Sequence, residues 1–259
     1  MLSLNEIESN YPDNLKPFKR FILREYLQYK ILEIIFDSPF ANKLCFLGGT
    51  CLRIVHNQQR FSEDLDFDNF NLTEDEFTEI SNHIKNELKK DGYEVEFKNV
   101  MKGAFHCYIK FPKILFNEGI TGHVEEKILI QLDTEPQHFD FKPETYILNK
   151  FDVFTSIFIT PSDILLAQKF FAVINRKRNK GRDFYDIVFL LGKGIFPNYD
   201  YLNLKLGITN SNQLKEKVIE VCEKINMQQM ADDVAPFLFN TKDVKQVLLF
   251  EQYLKQIKW

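Results

Sequence analysis

The sequence predicts an α/β (α+β) fold, with helices and strands in the first 160 residues and helices alone after them. Up to about residue 160, stretches with helical spacing of apolar residues are interspersed with short strand-like runs. Beyond Pro161, the apolar residues recur only with helical spacing. We therefore predict an α/β domain with an N-terminal helix at 1–160 and a helical domain at 161–259.

Composition narrows the class of protein. The chain has 259 residues, of which 44% are hydrophobic and 27% charged, as is ordinary for a globular protein. No apolar run approaches the roughly 20 residues that a membrane-spanning helix needs, and the first residues lack the pattern of a signal peptide. We therefore expect a cytoplasmic protein without a membrane partner. The net charge of −4 argues against non-specific coating of nucleic acid, although a local basic patch remains compatible with it.

The first elements alternate between helix and strand. Apolar residues recur with helical spacing from Leu15 to Phe36, which predicts one long helix. Residues 43–47 have the apolar character of a buried strand that ends at Gly48, and Thr50 is a plausible N-cap of the next helix. Acids and apolar residues alternate over 64–68, which is the period of a strand with one polar face.

The remaining elements follow from capping signals and periodicity. Thr73 and Glu76 form a capping-box pattern that opens a helix running to about Lys90, where Gly92 stops it. Strands are predicted at 93–98, 104–111 and 124–133, and one extended stretch at 145–158. Helices are predicted at 161–175, 182–192, 211–225 and 241–257, with loops at "GKGIFPNYD" and "GITNSN".

The stretch "SEDLDFD" carries three acids at alternate positions. On a strand, Asp64, Asp66 and Asp68 project from one face while Leu65 and Phe67 enter the core. Carboxylates that lie this close repel one another, and a shared divalent cation such as Mg²⁺ relieves the repulsion. The DxD pattern alone is weak, because a solvated strand edge with inert acids would show it too.

A double glycine precedes these acids. Gly48 and Gly49 stand between a predicted strand and a predicted helix, where the missing Cβ atoms allow a ligand to approach the backbone. The N-terminus of a helix offers free N–H groups to a phosphate, and Thr50 adds a hydroxyl. A simple tight turn would explain the glycines alone, but the order strand, GGT, helix, strand, DxD indicates a phosphate-binding turn beside metal-holding carboxylates.

A third carboxylate is expected from the run "EKILIQLDTEP". Its alternation places Asp133 at the end of a strand, on the face opposite to the apolar residues, where we expect it to face Asp64 and Asp66. Three such acids would hold two cations roughly 3.5–4 Å apart, and the third could act as general base toward an acceptor hydroxyl. The alternative is an acid that caps the turn before Pro136.

Residues 169–182 form a basic stretch in an otherwise acidic chain. Fourteen residues hold six cations: Lys169, Arg176, Lys177, Arg178, Lys180 and Arg182. Lys169 lies on a predicted helix from which it could reach a triphosphate, and Arg182 could pair with Asp183 or Asp186 or contact substrate. A solvated basic loop with local salt bridges is the alternative. Arg60 is a weaker candidate, since a salt bridge with Glu63 or Asp64 would also explain it.

Three segments resemble a known family: "FLGGTCLRIVHNQQRFSEDLDFD", then "ILIQLD", then "PSDILLAQKFFAVINRKRNKGRDFYDI". In this order, over about residues 44–190, they resemble the AbiEii/AbiGii family of nucleotidyltransferase toxins. The resemblance implies a fold like that of the DNA polymerase β nucleotidyltransferases, with a mixed β-sheet flanked by helices and an added helical domain. It also implies the toxin of a type IV-like toxin–antitoxin system, which acts in abortive infection or phage defence and is neutralised by a cognate antitoxin.

The resemblance also assigns roles by position. Gly48, Gly49 and Thr50 match the glycine–hydroxyl motif that holds the nucleotide phosphates, and Asp64 and Asp66 match the metal-binding pair. Asp133 matches the third-carboxylate position, Lys169 the lysine that meets the triphosphate, and Arg182, Asp183 and Asp186 the "RDxxD" motif, of which we assign Arg182 and Asp186 to nucleotide binding. The implied cofactor is Mg²⁺ or Mn²⁺, the substrate a nucleoside triphosphate, and the acceptor the 3′ end of tRNA or another RNA.

Three functions fit these residues. The first is a Mg²⁺-dependent nucleotidyltransferase, in which an acceptor hydroxyl attacks the α-phosphate and pyrophosphate leaves. The second is the same chemistry on a small molecule, such as an antibiotic, or on a protein. The third is a non-catalytic module that binds nucleotide or RNA without releasing pyrophosphate. Labelled triphosphates distinguish the three by where the label ends up.

Overall fold

One mixed β-sheet contains all seven strands found in residues 1–258, which are the residues that the computed structural model describes. The strands are β1 (Leu44–Leu47), β2 (Leu65–Asn69), β3 (Glu96–Lys102), β4 (Ala104–Phe111), β5 (Ile128–Glu135), β6 (Glu144–Lys150) and β7 (Val153–Ile159). Their order is β3-β4-β5-β2-β1-β7-β6. The pairs β2–β5 and β1–β7 are parallel, and the other neighbouring pairs are antiparallel. The α/β prediction is therefore confirmed.

Helices account for much of the rest of this part of the chain. Those before residue 160 are α1 (Leu4–Glu8), α2 (Lys19–Phe36), α3 (Gly48–Ile54), α4 (Glu74–Lys90) and α5 (Ile114–Asn117). Those after it are α6 (Ser162–Asn175), α7 (Gly181–Gly192), α8 (Tyr199–Leu206), α9 (Ser211–Cys222), α10 (Met227–Val234), α11 (Lys245–Leu248) and α12 (Phe250–Gln256). None of the helices in residues 1–258 combines the length and the apolar composition that crossing a membrane requires.

The chain divides into two compact units. The first unit holds the sheet and comprises Met1–His56, Phe61–His138 and Lys142–Ile159. The second unit is helical and contains the described residues from Thr160 onward, together with two short segments, Asn57–Arg60 and Phe139–Phe141. The segment Asn57–Arg60 therefore belongs to the second unit although it lies between α3 and β2 in the sequence.

Several of the predicted helices and strands are present, together with the local interactions that predicted them. Thr73 and Glu76 form the expected capping box at the start of α4, with Thr73 N donating to Glu76 Oε2 at 2.9 Å and Glu76 N donating to Thr73 Oγ1 at 3.2 Å. The alternation along β5 buries Ile128, Ile130 and Leu132 almost completely, as predicted. The long helix α2 begins at Lys19 rather than Leu15, after a short 3₁₀ turn.

The predicted extended stretch at 145–158 is a hairpin, because the chain turns at Phe151 and Asp152 between β6 and β7. No glycine or proline marks this turn, and Phe151 adopts a φ of +60°, which is uncommon for a bulky residue. The Phe151 ring packs against Tyr26 and Tyr29, with ring centroids 5.3 and 5.2 Å apart. We attribute the turn to this packing, which offsets the backbone strain.

Other boundaries also differ from the prediction. The helix α3 begins at Gly48, so Thr50 lies inside its first turn and is not its N-cap. The helix α8 occupies part of the predicted "GKGIFPNYD" loop and is capped by Asn198, whose side chain accepts a hydrogen bond from Tyr201 N at 2.9 Å. The predicted helix at 241–257 is divided into a 3₁₀ turn, α11 and α12.

Candidate active site

The glycine turn lies directly against Asp66, the second acid of the DxD pair. Gly48 opens α3 with a φ of +80°, and a Cβ built there would lie 2.1 Å from Asp66 Oδ2. Position 48 therefore requires glycine both for its backbone conformation and for space. The contact follows from strand pairing, since Leu47 at the end of β1 is the antiparallel partner of Asp66 on β2. The sequence prediction that these two motifs lie side by side is thus supported.

Thr50 does not present its hydroxyl to a ligand. Its side chain is fully buried, and its Oγ1 donates a hydrogen bond to the backbone carbonyl of Asp64. The predicted phosphate contact through this hydroxyl does not fit its burial. Thr50 instead ties the first turn of α3 to the residue that precedes β2, and the backbone N–H groups of Gly48 and Gly49 remain the candidates for phosphate binding.

Asp66 and Asp133 lie opposite each other on neighbouring strands. They are direct partners in the parallel pair β2–β5, so their side chains project from the same face of the sheet. Both are half-buried, as is Asp64, which stands two residues before Asp66 and immediately before β2. The register therefore brings together the second acid of the DxD pair and the third predicted carboxylate.

Asp133 has two side-chain partners that the sequence did not indicate. His106 Nδ1 lies 2.6 Å from Asp133 Oδ1, and Gln131 Nε2 lies 2.8 Å from Oδ1 and 3.0 Å from Oδ2. His106 on β4 is the antiparallel partner of Asp133 on β5. The alternation along β4 places His106 on the polar face of its strand, which was the signal available in the sequence.

The third acid of the "DLDFD" stretch has a structural role. Asp68 is only 2% exposed, and its Oδ1 accepts hydrogen bonds from Asn69 N at 2.8 Å and Gln137 N at 2.9 Å. The bond from Gln137 N joins the end of β2 to the loop that follows β5. Asp68 therefore differs from Asp66, although both were expected on one polar face.

The donor set suits a hard divalent cation. Magnesium is usually bound by one or two protein carboxylates, with water and substrate phosphates as the other ligands, and Asp66 with Asp133 meets that requirement. Within residues 1–258, no group of three or more His, Cys, Asp and Glu side chains is close enough to hold a metal ion. The joint role of Asp64, Asp66 and Asp133 as cation ligands therefore stays a prediction.

In the second unit, Asp186 is the centre of a buried ion cluster. It is fully buried and accepts hydrogen bonds from Arg60 Nε and Nη2, both at 2.8 Å, and from Gln58 Nε2 at 2.7 Å. Burial alone would raise the pKa of Asp186, but the charges of Arg60 and Lys169 outweigh it and lower the pKa to about 2. Direct nucleotide binding by Asp186 does not fit this burial, so we correct that prediction to a role in holding cations.

Lys169 is one of those cations. Its Nζ lies 2.7 Å from Asp186 Oδ2 and 3.0 Å from Asp183 Oδ1, while Arg176 Nη1 lies 2.7 Å from Asp183 Oδ2. Burial alone would lower the pKa of Lys169, but the two carboxylates raise it above its usual value. Lys169 is therefore protonated at neutral pH and fixed in position.

The remaining cations of the basic stretch differ in environment. Arg182 is half-buried, and its guanidinium carbon lies 4.8 Å from the centre of the Phe237 ring. Lys177, Arg178 and Lys180 are exposed. The structure thus separates the basic stretch into Lys169 and Arg176, which bond to Asp183 or Asp186, and the exposed Lys177, Arg178 and Lys180 on the surface of the second unit.

Solved structures show the same fold. The crystal structure of JHP933 from Helicobacter pylori aligns with a TM-score of 0.54 at 15% identity and covers 91% of each chain. A second H. pylori structure, described as a candidate nucleotidyltransferase, aligns with a TM-score of 0.54 at 15% identity and covers 93% of this chain and 98% of its own. No curated protein matches the chain.

A family model covers most of the chain. The model described as nucleotidyl transferase AbiEii toxin, type IV TA system, matches residues 30–254. Its match includes the glycine turn, the acids of β2 and β5 and the ion cluster around Asp186. The chain belongs to the AbiEii nucleotidyltransferase toxin family of type IV toxin–antitoxin systems.

Proposed function

We propose that the chain transfers a nucleoside monophosphate from a nucleoside triphosphate to an acceptor hydroxyl, with Mg²⁺ or Mn²⁺ as cofactor. The observation that supports this most is the contact of Gly48 with Asp66, whose strand partner is Asp133. It places a turn with backbone N–H groups at a helix N-terminus beside two carboxylates that share a face. Phosphates and their cation need these two features next to each other.

The residues of the first unit then have distinct tasks. The backbone N–H groups of Gly48 and Gly49 bind the triphosphate, and Asp64, Asp66 and Asp133 supply the oxygen ligands of the cation. When bound, the cation neutralises the phosphate charge and polarises the α-phosphate. The acceptor oxygen forms a new bond to the α-phosphorus, the bond to the pyrophosphate oxygen breaks, and a carboxylate takes up the hydroxyl proton.

Lys169 supplies positive charge for the triphosphate in this proposal. Its contacts with Asp183 and Asp186 keep it protonated, and the bidentate bond from Arg60 fixes Asp186. A charge that is held in place needs little reorganisation when the phosphates bind. We assign Asp186 and Arg60 to positioning of Lys169, and Arg182 to nucleotide binding.

The proposed acceptor is the 3′ end of tRNA. Lys177, Arg178 and Lys180 are exposed cations within four residues of sequence, and such cations bind the phosphate backbone of RNA without reading its bases. Membership in a type IV toxin–antitoxin family implies a cognate antitoxin. We further propose that the protein acts in the cytoplasm and contributes to abortive infection of phage-infected cells.

The test is transfer of label from α-labelled triphosphates to total tRNA, compared between the wild-type protein and Asp66→Asn. We expect label at the RNA 3′ end with the wild-type protein and none with the variant, which should also lose toxicity. Label on a protein or an aminoglycoside would move the proposal to another acceptor. Nucleotide binding without pyrophosphate release would contradict catalysis altogether.

A further inference from the structure

The row of side chains around Asp133 extends beyond the two acids. Along the order β2-β5-β4, the cross-strand partners are Asp66, Asp133 and His106. His106 therefore lies on the strand that flanks Asp133 on the side away from Asp66. Directly paired residues project from the same face of a sheet, so this histidine shares a face with the proposed cation ligands.

The hydrogen bonds to Asp133 leave room for one further ligand. A carboxylate accepts only, so the 2.6 Å contact places the hydrogen on His106 Nδ1. Oδ1 receives His106 and Gln131, whereas Oδ2 receives only Gln131 among the described residues. Because each carboxylate oxygen carries two lone pairs, one acceptor position remains, and it is on Oδ2.

We propose that His106 is a positioning residue for cation binding, which holds Asp133 through its Nδ1–H so that the remaining lone pair of Oδ2 can bind Mg²⁺. This inference rests on the function proposed above. His106 is not itself a ligand of the cation, since Mg²⁺ prefers oxygen and the ring already bonds to Asp133. Together with the contacts from Gln131, this hydrogen bond holds one rotamer of the half-buried carboxylate.

The experiment measures Mn²⁺ binding by electron paramagnetic resonance, without nucleotide, so that its result does not depend on turnover. His106→Ala should weaken Mn²⁺ binding by about 10- to 100-fold, as is typical when the hydrogen-bond partner of a ligand is removed. His106→Asn should restore most of the affinity, because the amide can donate from the place of Nδ1. His83→Ala, a change at a half-buried histidine of α4, should leave the affinity unchanged.

The outcomes separate this inference from the proposed function. If the wild-type protein binds Mn²⁺ and His106→Ala binds it equally well, the role of His106 is refuted while the metal site stands. If His106→Asn is as weak as His106→Ala, the hydrogen bond is not the cause and the inference also fails. Absence of Mn²⁺ binding by the wild-type protein would overturn the proposed function together with the inference.

Discussion

Gly48 packs so closely on Asp66 that a Cβ atom at position 48 would lie 2.1 Å from Asp66 Oδ2. The main-chain turn at Gly48 is proposed to bind phosphates, and the Asp66 carboxylate is proposed to bind the cation. The two are therefore in van der Waals contact. A change in either of them changes the shape of the other.

Replacement of Gly48 by alanine should abolish nucleotide transfer and lower the melting temperature. Alanine at a φ of +80° is strained by about 1 kcal/mol, and its Cβ would in addition displace the Asp66 carboxylate. Gly103→Ala is the matched control, since Gly103 has a φ of +78° and nothing within 4 Å of its Cβ position. Thermal unfolding and transfer assays on both variants distinguish the effect of backbone strain from the effect of displacing the Asp66 carboxylate. Equal effects of the two changes would contradict the role of the Gly48–Asp66 contact.

Two aspartates of β2 should respond in opposite ways. Asp66→Asn should remove transfer and Mn²⁺ binding with little effect on stability, because the half-buried side chain is replaced by one of the same shape. Asp68→Ala should instead destabilise the fold by roughly 1–3 kcal/mol, since two main-chain N–H groups lose their acceptor. Urea unfolding and transfer activity of the folded fraction check both. A stable, inactive Asp68→Ala would reverse this assignment.

Lowering the pH should reduce the stability of the second unit, because Asp186 becomes protonated. Its pKa in the folded state, about 2, lies below the ordinary aspartate value of 3.8, so its stabilising contribution is complete above about pH 5 and disappears as the pH falls toward 2. Asp186→Asn should lower stability at neutral pH by about 3–5 kcal/mol, because the buried Arg60 and the half-buried Lys169 lose a counter-charge. It should also flatten the decline in stability between about pH 5 and pH 2. Urea unfolding over this range measures both, with Glu216→Gln, at an exposed acid of α9, as the control.

Neutralising the exposed cations should weaken the binding of RNA and leave the binding of nucleotide unchanged. Replacement of Lys177, Arg178 and Lys180 by alanine should raise the KM for tRNA. It should also reduce the salt dependence of RNA binding, by about one unit of slope for each phosphate that is no longer bound. The KM for the triphosphate should stay the same. The control carries three alanines in α4, at Lys85, Lys89 and Lys90. Equal salt dependence in the wild-type protein and both variants would rule out this patch as the RNA site.

The parts of the fold that were predictable depend on local sequence. The alternation along β2 and β5 and the capping box of α4 require only neighbouring residues, and they were found. The hairpin turn at Phe151 was missed because rings distant in sequence stabilise it. No local sequence pattern indicates that a phenylalanine will adopt a positive φ.

The same distinction holds for the candidate site. The glycine turn and the DxD pair are short motifs, so their proximity could be anticipated. Alternation could not distinguish Asp66 from Asp68, because the difference comes from Gln137, a residue in the loop after β5. Nor could it show that Asp186 is enclosed by Arg60 and Lys169, which come from separate parts of the chain.

The assignment of Asn57–Arg60 to the second unit limits how this protein can be divided. A fragment cut at the apparent boundary near residue 160 would lack Gln58 and Arg60, and Asp186 would be deprived of three of its hydrogen bonds. Chimaeras that exchange the helical half between family members must therefore transfer this tetrapeptide as well. Evolution faces the same requirement, so the two halves are expected to be inherited together and not shuffled as independent modules.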